Sequence, residues 1–165
     1  AYQTLLEVSR EVQAEGWSYN KEYHYDMTPD TNKQIPIANN ILQIDATRNA
    51  ANVQIDVVRR DGKLYDKANH TYEFENKVSC DIVWLLDWVD IPTPIADYIV
   101  SRAAAIVSSR LVGDAEQYEI LQQKEQFNRA MALEYECNQG DYTFFGHSGD
   151  TNTYNSYKPY NALYR

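Results

Sequence analysis

Val78-Ser79-Cys80-Asp81-Ile82-Val83-Trp84-Leu85-Leu86, with Pro92-Thr93-Pro94 close behind it, is the stretch that decides the fold class. Val78, Cys80, Ile82 and Trp84 fall on alternate positions, so in an extended strand they share one face. After Pro92 the period changes. Ile95, Ile99, Ala103, Ile106 and Leu111 keep one side of a helix apolar until Gly113, a residue suited to the left-handed conformation of a helix end. Thr93 fits the N-cap, and Pro94 the first helical position, where a missing N–H is no loss. A strand that hands over to a helix in this way implies an α+β chain.

Reading back toward the N-terminus adds strands and one helix. Asp61-Gly62, between Val57–Arg60 and Leu64-Tyr65, marks a two-residue hairpin, because a type I′ turn needs positive φ at both central positions. Ile41–Ile44 and Val53–Val58 are further apolar runs, and Pro29 and Pro36 bracket a turn. Trp17, Tyr19, Tyr23 and Tyr25 fall on odd positions, the pattern of a half-buried strand. Residues 1–15 read as a helix, with Leu5, Val8 and Val12 on one side and Gly16 as its stop. The chain opens at Ala1, without a methionine and already inside that helix, so an N-terminal piece is expected to be missing. The economical arrangement is a helical bundle packed against a mostly antiparallel β-sheet of four to six strands.

Downstream, Asp114 with Gln117 three residues on forms a capping box, and the next stop is Gly140. That gives one long C-terminal helix of about 24 residues, or about 36 Å, twice a common length. Its middle, Gln122-Gln123-Lys124-Glu125-Gln126, is polar around more than a full turn. A pair such as Glu125–Arg129 returns only about 0.2–0.5 kcal/mol to a lone helix. A helix polar on all sides bridges space, meets a wet interface, or lies on a surface. In the preceding helix Ser101, Ser108, Ser109 and Ala103–Ala105 put small residues on several sides, which suits close packing on more than one neighbour. Asp141–Arg165 is rich in tyrosine and too poor in aliphatics to build its own core. One domain over 1–146 and a Tyr-rich tail over 147–165, ordered by partners, is the expected organisation. Candidate partner-interface residues are Gln122, Gln123, Glu125 and Arg129 on the long helix, with Tyr142, Phe144 and Phe145 after it.

The composition narrows the function. Acids outnumber bases 24 to 15, for a net charge of −9, and no basic run exceeds Arg59-Arg60. Tight nucleic-acid binding rests on clustered cations that neutralise phosphates, so it is not expected here. The balance still suits a surface that DNA slides past. No apolar run approaches the 18 or so residues of a membrane span, and no signal segment opens the chain. At 165 residues the chain can bury about 70% of its unfolded surface unaided, and two cysteines, Cys80 and Cys137, are too few for a disulfide framework.

Reactive chemistry is sparse. The three histidines, His24, His70 and His147, lie apart in sequence, and Asn69-His70-Thr71 is a sequon of a kind that arises often by chance. No phosphate loop, zinc motif or nucleophile elbow is present. Asp150-Thr151-Asn152 starts like a calcium loop, but Tyr154 and Ser156 spoil it. Neither a metal nor a cofactor is expected. Carboxylates are plentiful, and Asp81, Asp87 and Asp90 form the best cluster for a glycosidase, which needs two acids about 5–9.5 Å apart across one sugar.

A family resemblance joins these readings. Gly16-Trp17-Ser18-Tyr19-Asn20 after a helix is similar to a Gly-Trp-Thr-Phe-Asn segment of tail tubular protein A from short-tailed phages. Asp61-Gly62-Lys63-Leu64-Tyr65-Asp66 resembles that family's Gly-x-Val-Tyr-Asp hairpin. Asp90-Ile91-Pro92, followed by Tyr98-Ile99-Val100-Ser101-Arg102-Ala103, resembles its acid-x-Pro and aromatic-Ile-Val-Thr-Lys-Ala run. Arg110–Glu116, Leu121, Met131–Glu136 and Gly140-Asp141-Tyr142 continue the match in the same order, from about Leu5 to Gly146. The resemblance implies a non-enzymatic tail adaptor of the podovirus virion, assembled in the host cytoplasm. Such an adaptor forms a homo-oligomeric, twelve-membered ring between portal and tail nozzle, with tail fibres as a further partner and ejected DNA passing through the lumen. Two departures stand out: the family's N-terminal helices are largely absent, and nothing beyond Gly146 aligns. The alternatives are a virion-associated glycan hydrolase using Asp81, Asp87 and Asp90, and a small dimeric binding domain.

Overall fold

The computed structural model describes residues 1–49, 55–111, 113 and 115–140. Helix α1 (Tyr2–Gln13) leads into strands β1 (Lys21–Met27), β2 (Ile41–Asn49), β3 (Val57–Arg60), β4 (Lys63–Asp66) and β5 (Val78–Trp84). A 3-10 turn (Trp88–Asp90) then precedes helices α2 (Thr93–Leu111) and α3 (Ala115–Gln139). The chain is α+β, as the change of period at Pro92 predicts.

Its strands form two sheets among the described residues, where the sequence suggested one. β5 is the centre of a three-stranded antiparallel sheet of order β1-β5-β2, and β3–β4 is a separate hairpin. The hairpin packs sideways onto that sheet. Leu64 N–H donates to Ile35 O at 2.9 Å and Ile37 N–H to Gly62 O at 2.8 Å, so the Ile35–Ile37 segment covers the hairpin's free edge. Val57 and Leu64 thereby join Ile35, Ile37, Val78, Cys80 and Ile82 in one apolar core. The alternate face read on β5 is the inner face of this core, with Trp84 packed against it. Asp61 and Gly62 carry φ of 51° and 71°, the positive pair that the hairpin turn requires.

The aromatic run Trp17, Tyr19, Tyr23 and Tyr25 is corrected in part, since only Tyr23 and Tyr25 lie in β1. Trp17 and Tyr19 lie in the turn between α1 and β1, and Tyr23 and Tyr25 are exposed. β1 is an edge strand whose register slips between Glu22 and Tyr25, with His24 at φ 56°. The Asp81 carboxylate accepts the His24 N–H at 3.1 Å, which holds the bulge and breaks the alternation.

A second core lies among the helices. Val8, Val12 and Trp17 meet Ile91, Ile95, Tyr98, Ile99 and Ala103 of the α2 segment and Ala132 of α3. Leu111, read as part of this apolar side, is instead 75% exposed. It falls on the far side of α2, just before Gly113 closes the helix with φ 67° and donates its N–H to Ser108 O at 3.2 Å. α3 runs 25 residues, about 37 Å, and Ala132 is its one buried residue among those described. Gly140 donates to Glu136 O at 2.8 Å beyond its end, where the sequence places the stop. Asp114 of the capping pair, the first two residues of the Val53–Val58 run, and everything from Asp141 onward, including Tyr142, Phe144, Phe145 and the 146/147 boundary, lie outside the described residues.

The two thiols differ in environment. Cys80 is buried in the sheet core and Cys137 is exposed on α3. Burial, then the carboxylates of Asp81, Asp45 and Asp26, push the Cys80 thiol up to about 12. The unfolded chain therefore loses this proton first as pH rises, so the Cys80 contribution to stability is full below about pH 8.5 and declines toward pH 12. A maleimide at pH 7.5 should accordingly label Cys137 within minutes and Cys80 only after denaturant unfolds the chain. Two fast-reacting thiols in the native protein would contradict this packing.

Candidate assembly surface and its anchorage

The turn after α1 locks three parts of the molecule together. Gly16 takes φ 79°, and a Cβ there would stand 3.3 Å from Val83 Cγ2 on β5, so the helix end can approach the strand this closely only with glycine. Trp17 Nε1–H donates to Val12 O at 2.7 Å, which folds the indole under α1. Asn20 is sealed at the junction. Its Nδ2 donates to Gln13 O at 2.9 Å and Trp84 O at 2.8 Å, while its Oδ1 accepts the Trp17 N–H at 2.9 Å. Gln13, also buried, repeats the motif one turn back: its Oε1 accepts Leu86 N–H at 2.9 Å and its Nε2 donates to Leu86 O at 3.2 Å and to Ser9 Oγ at 3.1 Å. Polar groups buried among apolar neighbours need such partners, and these two amides supply them to the ends of α1 and β5.

α3 is fastened to this joint from the other side. The Glu136 carboxylate accepts the Ser18 N–H at 3.0 Å from both oxygens and the Ser18 hydroxyl at 2.9 Å. Further up the helix, Arg129 Nη1 donates to the hydroxyl of buried Tyr98 at 2.6 Å and pairs with Glu15 at 3.6 Å. Arg102 reaches the same hydroxyl at 3.1 Å and Glu11 of α1 at 3.1 Å. Hydrogen bonding to Tyr98 is the largest influence holding both guanidinium groups further toward their charged form. Asn128 Nδ2 adds a bond to Asp97 O at 3.2 Å. Tyr19 lies under the Glu136 end with its hydroxyl buried and without a protein partner among the described residues, and burial, then the Glu136 charge, raises its pKa.

The candidate residues divide accordingly. Gln122 and Gln123 are exposed on α3, and Glu125 is half-buried on the side of Arg102. Arg129 is exposed on α3 and bonds Tyr98 and Glu15 along the helix flank, which sequence alone did not reveal. Asp81 sits mid-strand opposite Asp45 of β2, while Asp87 and Asp90 stand exposed around the 3-10 turn past the strand end. An open cleft of about 430 Å³ between α1 and the Leu85–Trp88 segment includes Asp87 but neither Asp81 nor Asp90 in its walls. Among the described residues no group of three or more His, Cys, Asp or Glu side chains could hold a metal ion, and no helix is long and apolar enough to cross a membrane.

Sequence reading missed the Ser18–Glu136 clamp and an apolar stripe on α3, Ile120, Phe127 and Met131, all exposed. The stripe was readable from its spacing of seven and four; the clamp spans 118 residues and was not.

α3 is thus pinned along one side and keeps apolar side chains exposed on another. The family model for tail tubular protein matches residues 1–142, and the chain belongs to that family. It is a structural component of a phage tail, built with oligomeric partners. No curated protein matches the chain.

Removing the clamp should loosen one end of α3. Glu136→Ala is expected to cost about 2 kcal/mol, since it strands the Ser18 N–H and hydroxyl. Urea denaturation would read the loss, and hydrogen exchange would rise first across residues 130–139. Unchanged stability and exchange would show that the clamp does not hold the helix.

Proposed function

We propose that this chain is the tail adaptor: a ring of copies, twelve by resemblance, that joins the portal to the tail nozzle and lines part of the channel through which DNA is ejected. One observation carries the reading beyond family membership. α3 runs 25 residues along α2 with a single buried position, and Ile120, Phe127 and Met131 are 61%, 65% and 42% exposed on it. A domain alone has no use for such a surface, whereas a ring buries it. The net charge of −9 fits a lumen wall that DNA passes without gripping. Gln122, Gln123, Glu125 and Arg129 on α3, with Tyr142, Phe144 and Phe145 beyond it, are the proposed partner surface, and tail fibres are a further proposed partner. Residues 1–146 are proposed as the adaptor domain, in a virion tail assembled in the host cytoplasm, and 147–165 as a segment ordered by partners.

Mixing the purified chain with its portal protein should give a complex of fixed stoichiometry by light scattering, many subunits in size. Portal and chain eluting separately at micromolar concentration would sink the adaptor reading.

The start of the tail offers a second test. Leaving the Phe144 and Phe145 rings in water forgoes roughly 1.5–3 kcal/mol each, while ordering backbone costs about 1–2 kcal/mol per residue. Hydrogen exchange should therefore find protection through Phe145 and little from Thr151 onward in the isolated chain. Fast exchange beginning at Asp141 would remove the aromatics from the proposed interface.

A further inference from the structure

Two stripes of equal length and equal period lie on the surface of this chain. On α3, Ile120, Lys124, Phe127 and Met131 follow one another at four, three and four residues. On α2, Val100, Ala104, Val107 and Leu111 do the same, on the side away from buried Ile95 and Ile99. Each covers eleven residue steps, about 16 Å of helix. The α3 stripe is made of large side chains. The α2 stripe is smaller and recessed: Ala104 and Val107 line, with Tyr2 and Leu5 of α1, an open apolar groove of about 280 Å³. Val100 and Leu111 at its two ends are 46% and 75% exposed.

We propose that the α3 stripe of one copy packs along the α2 stripe of the next, so that copies of this chain join head to tail through these two surfaces. The inference rests on the assembly reading above and names the surfaces it leaves open. Stripes repeating at three and four residues interlock as ridges in grooves at a shallow crossing angle. Laid antiparallel, Phe127 falls over Ala104, Met131 over Val100 and Ile120 over Leu111. Lys124 falls over Val107, where its stem covers apolar surface and its ammonium reaches water at the rim. The occupant is a second copy because the complement of each stripe is present in the same chain, which belongs to a family of oligomeric tail components. Charge agrees. Acids outnumber bases 24 to 15 in the chain, yet neither stripe contains a carboxylate, so two acidic copies can meet here without like charges in contact. Lys124 and Val100 line one cleft of the same chain, so the stripes lie side by side. The head-to-tail arrangement, unlike a two-fold pair, leaves one donor and one acceptor unused in each pair of copies. Such a contact propagates until it closes into a ring or runs on as a filament.

Phe127→Glu disables the donor and Leu111→Glu the acceptor, both at exposed positions where the fold should survive, as an unchanged thermal melt would establish. Sedimentation of the full chain, alone and with portal, should show wild-type assemblies beyond the dimer. Each variant alone should lose association at least tenfold. An equimolar mixture of the two should form one-to-one dimers and nothing larger, because only one intact donor and one intact acceptor remain. Variants that assemble like wild type would overturn the proposal while leaving the structural tail reading in place. A mixture that stays monomeric, or a wild type that stops at a closed dimer, would overturn the head-to-tail pairing. A wild type that assembles under no condition would remove this proposal and the adaptor reading together.

Discussion

The carboxamide of Asn20 ties a helix end to a strand end, and the rest of the molecule is arranged around that tie. It gives hydrogens to Gln13 O and Trp84 O and takes one from Trp17, in a site where no water reaches it. Gln13 O also takes the Gly16 N–H at 3.2 Å, and a buried backbone group left unpaired costs about 1–3 kcal/mol. Satisfying all three with one short side chain fixes the end of α1 against the end of β5. Gly16 permits the approach, because a side chain there would press on Val83. From this joint the sheet core extends one way and the helical core the other, so two modest cores act as one body.

What the joint positions is α3. The Ser18 N–H and hydroxyl, one residue past Trp17, are held out to meet Glu136, and Arg129 reaches from the same helix to Tyr98 and Glu15. These bonds cluster in the C-terminal half of the helix, together with its one buried residue, Ala132. They secure a helix too polar to be held by apolar burial, and they leave its remaining faces exposed. That combination explains how a chain of this size can carry a helix of about 37 Å with one buried position.

Much of the fold could be read locally. Asp61-Gly62 specified its turn because positive φ at two successive positions admits few residues, and β5 was legible because its alternation faces a real core. The exposed edge strand was not. Tyr23 and Tyr25 have the composition of a half-buried strand, but β1 has β5 on one side only, and a bulge held by the distant Asp81 turns its side chains off the pattern. The division into two sheets escaped for the same reason, since it depends on Ile35–Ile37 closing the hairpin edge. On the assembly surface, helix length and polarity were visible in sequence, and the hold of Arg129 on Tyr98 was not. A lone arginine on a polar helix looks free until Tyr98, 31 residues away, is seen beneath it.

The central claim is that copies of this chain complete one another in a tail structure joined to the portal. A cryo-electron microscopy map of the chain bound to its portal tests it most directly. The account predicts a closed ring of copies around an open channel, with α3 of each copy in contact with its neighbour and the joint at Asn20 unchanged from the single chain. A map in which the copies bind the portal one by one, with α3 facing solvent and no contact between neighbours, would contradict it.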